Sequence, residues 1–82
     1  MSEKNILVVE DNDFVRMQMV KMLVDGGYTI IEAVQGGDAL GKIKAEQVDM
    51  AIVDLRMEPV DGFEFIRAIR GKNIQIPVIL AT

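Results

Sequence analysis

Four short apolar runs alternate with longer segments of helical spacing, and this alternation is the strongest constraint on the fold. The runs are rich in β-branched residues and bounded by polar ones, which is typical of buried parallel strands. We predict strands at about 4–10, 28–33, 49–54 and 76–82, and helices at about 12–25, 36–46 and 61–71. The order βαβαβαβ implies right-handed crossovers, and therefore an α/β fold with a parallel sheet between helices.

The first predicted helix has signals at both ends. Asn12 or Asp13 can cap its amino terminus, and Gly26–Gly27 can end it. We expect Arg16 and Lys21 on this helix to lie in solvent. Helical spacing predicts an inner face made of Val15, Met19, Met22 and Leu23.

Composition limits the chemistry available to the chain. Its 82 residues suit a single domain, residues 1–82, and 50% hydrophobic content indicates a packed globule. The sequence has no Cys and no His, which excludes disulfides and thiolate metal sites and argues against zinc. The net charge of −4 disfavours nonspecific contact with nucleic acid or anionic membranes. Because no apolar run is long enough to span a bilayer, we expect a soluble cytoplasmic protein.

Two of the apolar runs stop at carboxylates. Residues 6–9 lead into Glu10 and Asp11, and residues 50–53 lead into Asp54. A single acid at a strand end is more often a solvated terminus or a helix cap, but acids that recur at the same end of neighbouring parallel strands meet in one crevice. Grouped carboxylates repel one another, so a cation is needed among them, and Mg²⁺ prefers oxygen ligands. Beside such a metal, Asp54 is a candidate nucleophile toward phosphorus.

At these residues the sequence resembles the receiver domains of two-component response regulators. The matching segments are Ile6–Asn12, Ala51–Met57 leading into Asp61-Gly62, and Pro77–Thr82. The resemblance implies a flavodoxin-like (CheY-like) parallel sheet with strand order 2-1-3-4. It also implies a phosphoryl group donated by a sensor histidine kinase, a phosphotransfer protein or a small acyl phosphate, followed by slow self-catalysed hydrolysis.

The resemblance assigns a role to each candidate site residue. Asp54 resembles the phosphoacceptor, and Glu10 and Asp11 resemble the acidic pair that binds Mg²⁺. Arg56 corresponds to the position whose backbone carbonyl joins the metal ligands. Thr82 resembles the switch hydroxyl that turns toward the phosphoryl group after transfer.

The sequence departs from the family pattern in two places. Pro59 comes one position later than usual, because Glu58 intervenes. The sequence also ends at Thr82, before the family's fourth helix, its fifth strand with a phosphoryl-contacting Lys, and its fifth helix. Lys72 precedes the fourth strand and is not assigned that role. We therefore expect a truncated receiver that forms a homodimer or domain-swapped oligomer through an exposed face of the fourth strand and first helix.

Two alternative functions remain open at this point. A receiver fragment without the Lys could act as a structural or oligomerisation module that has lost phosphoryl chemistry. A Mg²⁺-dependent phosphatase with an aspartyl phosphate is a weaker alternative. Such enzymes commonly place a general acid Asp two residues after the nucleophile, where this chain has Arg56. We therefore expect a signalling domain rather than an enzyme.

Overall fold

Four strands and three helices alternate along the chain in the computed structural model, which describes residues 4–54 and 62–81. The strands are β1 (Asn5–Val9), β2 (Thr29–Ala33), β3 (Met50–Asp54) and β4 (Val78–Ala81). The helices are α1 (Asp13–Asp25), α2 (Gly36–Ala45) and α3 (Gly62–Gly71). Every predicted element is present; the predicted start of the third helix at Asp61 and the predicted end of the last strand at Thr82 lie outside the described residues. In the part of the chain that is described, no helix combines the length and apolar character needed to cross a membrane.

All neighbouring strands run parallel in the order β2-β1-β3-β4, which confirms the predicted sheet. Val9 pairs with Ala33 of β2 on one side and with Val53 of β3 on the other, so β1 lies inside the sheet. Within residues 4–54 and 62–81, β4 pairs with β3 alone and forms an edge. The carboxyl ends of the strands therefore share one edge of the sheet.

The main core lies between one face of the sheet and helices α2 and α3. Its fully buried members are Leu7, Val9, Ala51 and Val53 from the strands and Ala39, Phe65 and Ile69 from the helices. Phe65 and Ile69 are about one helical turn apart, so both meet the sheet. Burying an apolar side chain of this size stabilises the fold by roughly 2 to 3 kcal/mol. This core therefore fixes the positions of β1 and β3 next to Glu10 and Asp54, which come directly after buried Val9 and Val53.

Helix α1 packs on β1 and β2, and its inner face differs from the predicted one. Across the sheet, the chain moves in one direction from β1 to β2 and in the other direction from β2 to β3 and from β3 to β4. Because all these crossovers are right-handed, α1 lies on the sheet face opposite α2 and α3. Val15 and Met22 are 39% and 73% exposed, so their predicted places on the inner face of the helix are wrong. The half-buried residues of α1 lie along another helical line: Arg16, Met19, Val20 and Leu23. Apolar residues occupy most sides of α1, so their spacing alone does not select the side that meets the sheet.

The ends of α1 follow the predicted signals. The side chain of Asn12 accepts a hydrogen bond from the Val15 N–H at 3.0 Å, which caps the amino terminus. At the other end Gly27 has a φ of +93°, in the left-handed region that favours glycine. The Tyr28 N–H then donates to the Leu23 carbonyl at 3.1 Å as the chain turns toward β2. Both predicted ends of this helix are confirmed.

Replacing Gly27 and Gly41 by Ala in separate variants should change stability in opposite directions. At Gly27 the positive φ strains an Ala backbone, so we expect the free energy of unfolding to fall by about 1 kcal/mol. At Gly41, inside α2, an added Cβ has open space around it, and we expect a rise of about 1 kcal/mol. Both substitutions restrict the unfolded chain to the same extent, so the difference between their changes in unfolding free energy reports the effect on the native state alone. Urea denaturation measures both, and equal shifts would contradict the strain at Gly27.

Candidate functional site

The carboxyl ends of β1 and β3 lie side by side at one edge of the sheet. Val9, the last residue of β1, pairs with Val53, so Glu10 and Asp54 follow at the same level. Asp54 ends β3 and pairs on its other side with Ala81 of β4. Parallel pairing therefore brings acids from two distant parts of the sequence to the same point.

The side chains of Glu10, Asp11 and Asp54 meet at this edge. One carboxylate oxygen from each residue lies within 4.8 Å of the other two. Glu10 is buried with 7% of its surface exposed, Asp54 is half-buried, and Asp11 is exposed. The structure thus brings together the three acids that the sequence predicts as site residues, with Asp11 on the solvent side.

Glu10 is held by backbone groups on two neighbouring segments. Its N–H donates to the Ala33 carbonyl at 3.1 Å and so extends the pairing of β1 with β2. Its carboxylate accepts a hydrogen bond from the Asn12 N–H at 3.1 Å. Because the Asn12 side chain also caps α1, the start of the helix and the Glu10 carboxylate are positioned by the same turn.

The pKa of Glu10 is raised above its ordinary value of 4.5, chiefly because burial disfavours the charged carboxylate. The Asn12 N–H opposes this by stabilising the charged form. Hydrogen bonds with the Asp11 and Asp54 side chains, together with the charge of Asp54, raise the pKa of Glu10 further. A cation bound among these acids would relieve the repulsion.

The donor set suits a hard divalent cation such as Mg²⁺. All three clustered residues offer carboxylate oxygens, which are the protein ligands that Mg²⁺ prefers. Mg²⁺ in proteins usually keeps several waters, and the exposed position of Asp11 leaves one side of the cluster accessible to them. The residues that could hold the metal are therefore Glu10, Asp11 and Asp54.

Two predicted site residues fall outside the part of the chain that the structure describes. They are Arg56, predicted to offer its backbone carbonyl to the metal, and Thr82, predicted to supply the switch hydroxyl. Pro59, the other departure from the family pattern, falls outside the described residues as well. The roles of these residues stay predictions.

Arg16 lies beside the acidic cluster and is mostly buried, although the sequence suggested that it lies in solvent. Its side chain is 13% exposed and donates to the Glu10 backbone carbonyl at 2.8 Å. It also pairs with Asp13 and, at 3.2 Å, with Glu32 at the solvent-facing side of β2. The signal available in the sequence was the spacing of Arg16 three residues after Asp13, one turn into the helix that follows the acidic pair.

The sequence and fold are similar to those of known signalling proteins. The family model for the response regulator receiver domain matches residues 6–82. The sensor protein EvgS of Escherichia coli O157:H7 is 35% identical over 74 residues, which cover 90% of this chain and 6% of that protein. The transcriptional regulatory protein AfsQ1 of Streptomyces coelicolor is 32% identical over 78 residues, which cover 95% of this chain and 34% of that protein. The chain therefore spans about a third or less of the length of these relatives.

A solved structure shares the fold described above. It is the N-terminal domain of a response regulator receiver protein from Methanoculleus marisnigri JR1, with a TM-score of 0.93 and 36% sequence identity. The match covers 99% of this chain and 68% of that one. The predicted sheet and helix arrangement therefore agrees with an independently determined structure.

Glu10→Gln should stabilise the metal-free protein at neutral pH and lose this advantage in acid. Folding raises the pKa of Glu10 above 4.5, so the native state binds this proton more tightly than the unfolded chain does. Wild-type stability therefore decreases as the pH rises from 4.5 through the higher native pKa, and an uncharged amide avoids that loss. Thermal unfolding across this pH range, with a chelator present, measures the difference.

Glu46→Gln is the matched control for this experiment. It removes the same charge from an exposed side chain at the end of α2, away from the cluster. We expect little change in its Tm at either pH. If Glu10→Gln has a lower Tm than the wild type at neutral pH, the carboxylate is a net stabilising group, which contradicts a net cost of its burial.

Proposed function

Because the chain belongs to the response regulator receiver domain family, we propose that it accepts a phosphoryl group on Asp54 and changes its interactions in response. The observation that carries this proposal is the approach of the Glu10, Asp11 and Asp54 carboxylates to within 4.8 Å at the carboxyl edge of a parallel sheet. Receiver domains bind Mg²⁺ at an acidic site and act as signalling domains rather than as enzymes in the ordinary sense.

Asp54 acts as the nucleophile in this proposal. Its carboxylate oxygen attacks the phosphorus of the donor, and a P–O bond forms as the bond between phosphorus and the donor atom breaks. The donor takes the bonding electron pair: a small acyl phosphate leaves as a carboxylate, and a phosphohistidine leaves as imidazole after it gains a proton from water. Asp54 ends β3 between two paired strands, which restricts its backbone while it reacts.

Glu10, Asp11 and Asp54 form the proposed Mg²⁺ site. When bound there, Mg²⁺ supplies positive charge beside the transferring phosphoryl group. Glu10 is a rigid ligand because it is buried and bonded to the Asn12 N–H, whereas Asp11 lies on the accessible side. We propose the backbone carbonyl of Arg56 as a further ligand and the Thr82 hydroxyl as the group that contacts the transferred phosphoryl.

A histidine-containing donor fits this chemistry. Receiver domains interact with sensor histidine kinases, and the Escherichia coli relative is itself named as a sensor protein. We propose a sensor histidine kinase or a phosphotransfer protein as the partner, and the cytoplasm as the location. Slow attack of water on phosphorus then releases inorganic phosphate and restores the Asp54 carboxylate.

Asp54→Asn should abolish phosphoryl labelling, because an amide is a poor nucleophile toward phosphorus. The measurement is incorporation of label from radioactive acetyl phosphate in the presence of Mg²⁺. Asp49→Asn is the matched control, since Asp49 precedes the other end of the same strand and accepts the Asn5 N–H at 2.7 Å, which Asn can also do. The control should retain labelling. Persistent labelling of Asp54→Asn would refute the assignment.

Thermal unfolding of the same variants tests ligand binding separately from turnover. Mg²⁺ with beryllofluoride, a phosphoryl mimic, should stabilise the wild type and Asp49→Asn but not Asp54→Asn. At 100 times the dissociation constant the gain is about 2.7 kcal/mol. If these ligands do not change the Tm of the wild type, the result would instead favour the alternative function, an interaction module without phosphoryl chemistry.

We further propose that a second copy of this chain covers apolar side chains on the α1 side of the sheet, as a homodimer or a domain-swapped oligomer. Ile79 of β4 pairs with Ile52 and alternates with strand residues that pack on the main core, so it lies on the α1 side. It is 50% exposed. On α1, Phe14, Met17 and Met22 are more exposed than Ile79. Exposed apolar patches are typical of association surfaces.

Ile79→Lys should shift the protein toward monomer, because a charge would have to be buried in the proposed interface. Sedimentation velocity over a concentration series measures this change. Phe63→Lys is the matched control: Phe63 is 57% exposed on α3, which packs on the other face of the sheet. A monomeric wild type, or equal effects of the two substitutions, would contradict the proposed surface.

A further inference from the structure

Arg16 joins three segments that surround the acidic cluster. From the first turn of α1, its guanidinium donates to the Glu10 backbone carbonyl at 2.8 Å, to Asp13 on its own helix, and to Glu32 of β2 at 3.2 Å. Only 13% of its side chain is exposed. The guanidinium is planar and presents its donors in a rigid fork, so these contacts define its position.

The contact with Glu10 is the one that matters for the site. The Glu10 carbonyl belongs to the peptide group that links Glu10 to Asp11, so its orientation sets the direction in which the chain leaves β1. The Glu10 N–H is already held by the Ala33 carbonyl at 3.1 Å. Arg16 holds the other side of the residue, and the backbone at Glu10 is therefore restrained at both its N–H and its C=O.

We propose that Arg16 is a positioning residue, which holds the Glu10 and Asp11 carboxylates toward Asp54 through the Glu10 carbonyl. Its significance for metal and phosphoryl binding rests on the function proposed above. Groups that orient metal ligands without touching the metal commonly change metal affinity when they are replaced. Arg16 also links this edge of the sheet to α1, so the helix contacts Glu10 through this side chain as well as through the Asn12 N–H at its amino terminus.

The positive charge of Arg16 should lower metal affinity, whereas its proposed positioning role should raise it. A cation beside a Mg²⁺ site weakens metal binding by repulsion, although pairing with Asp13 and Glu32 offsets much of that charge. Positioning therefore has to be tested with a variant that keeps the positive charge and removes the planar guanidinium with its several N–H donors. Arg16→Lys is that variant, because lysine has one flexible ammonium and cannot reproduce the three contacts.

Arg70→Lys is the matched control. Arg70 donates through its guanidinium to the Ile74 carbonyl at 2.8 Å, which is the same kind of bond at the same distance. That bond lies between the end of α3 and the start of β4, at the opposite end of the sheet from the acids. Both variants lose an arginine bond to a backbone carbonyl, but only one of these bonds is at Glu10.

The experiment combines a Mg²⁺ titration with hydrogen exchange at the Asn12 amide in metal-free protein, because that N–H donates to the Glu10 carboxylate. We expect Arg16→Lys to lower Mg²⁺ affinity roughly tenfold and to speed exchange at Asn12. Arg70→Lys should do neither, even where the two variants lose similar thermal stability. Wild-type affinity and unchanged Asn12 exchange in Arg16→Lys would overturn the proposal and leave Arg16 as a helix anchor only.

The exchange measurement separates this proposal from the proposed function. If the wild type binds no Mg²⁺, the function fails, while faster exchange at Asn12 in Arg16→Lys still supports positioning and unchanged exchange still refutes it. If Arg16→Lys does not fold, Glu32→Gln provides the same test. This substitution weakens the ion pair between Arg16 and the exposed side chain of Glu32, and it leaves the sequence around Asn12 unchanged. Faster exchange at Asn12 supports positioning in that variant, and wild-type exchange overturns it.

Discussion

Pairing of β1 with β3 places Val9 beside Val53, and the acidic cluster exists because the next residues along both strands are acids. These acids repel one another, so they do not draw the two strands together. The attraction comes from below, where Leu7, Ala51 and the two paired valines are fully buried against α2 and α3. Apolar burial therefore holds the carboxylates in an arrangement that their own charges oppose.

Burial of Glu10 adds a second cost to this arrangement. A carboxylate loses hydration when it is buried, which raises its pKa, and the neighbouring acids raise it further. The Asn12 N–H offsets part of this cost, and the remaining repulsion favours any cation that enters the cluster. Stability of the metal-free fold and affinity for the proposed metal are thus opposed at the same residue, as is common where a binding site forms before its ligand binds.

Helix α1 links this local chemistry to the rest of the fold. Its first turn is capped by Asn12, whose N–H holds Glu10, and its half-buried side begins with Arg16, which bonds the Glu10 carbonyl. The helix therefore touches the site through both its backbone start and a side chain. The prediction for Val15 and Met22 was wrong because apolar residues occupy most sides of α1. The side that meets the sheet carries Arg16 and its bonds to β1 and β2, and the apolar pattern contained no information about those bonds.

The sequence by itself determined the features that depend on neighbouring residues. Strand and helix positions followed from β-branched runs, from the capping Asn12 and from glycine at Gly27, because these act within one turn or one strand. The handedness of crossovers and the family resemblance supplied the strand order, and the order identified the acids that meet. Only the tertiary structure decided that Glu10 is buried while its neighbour Asp11 is exposed, and that Arg16 rather than Val15 faces the sheet. Those outcomes depend on contacts between segments distant in sequence, which local spacing and residue type do not encode.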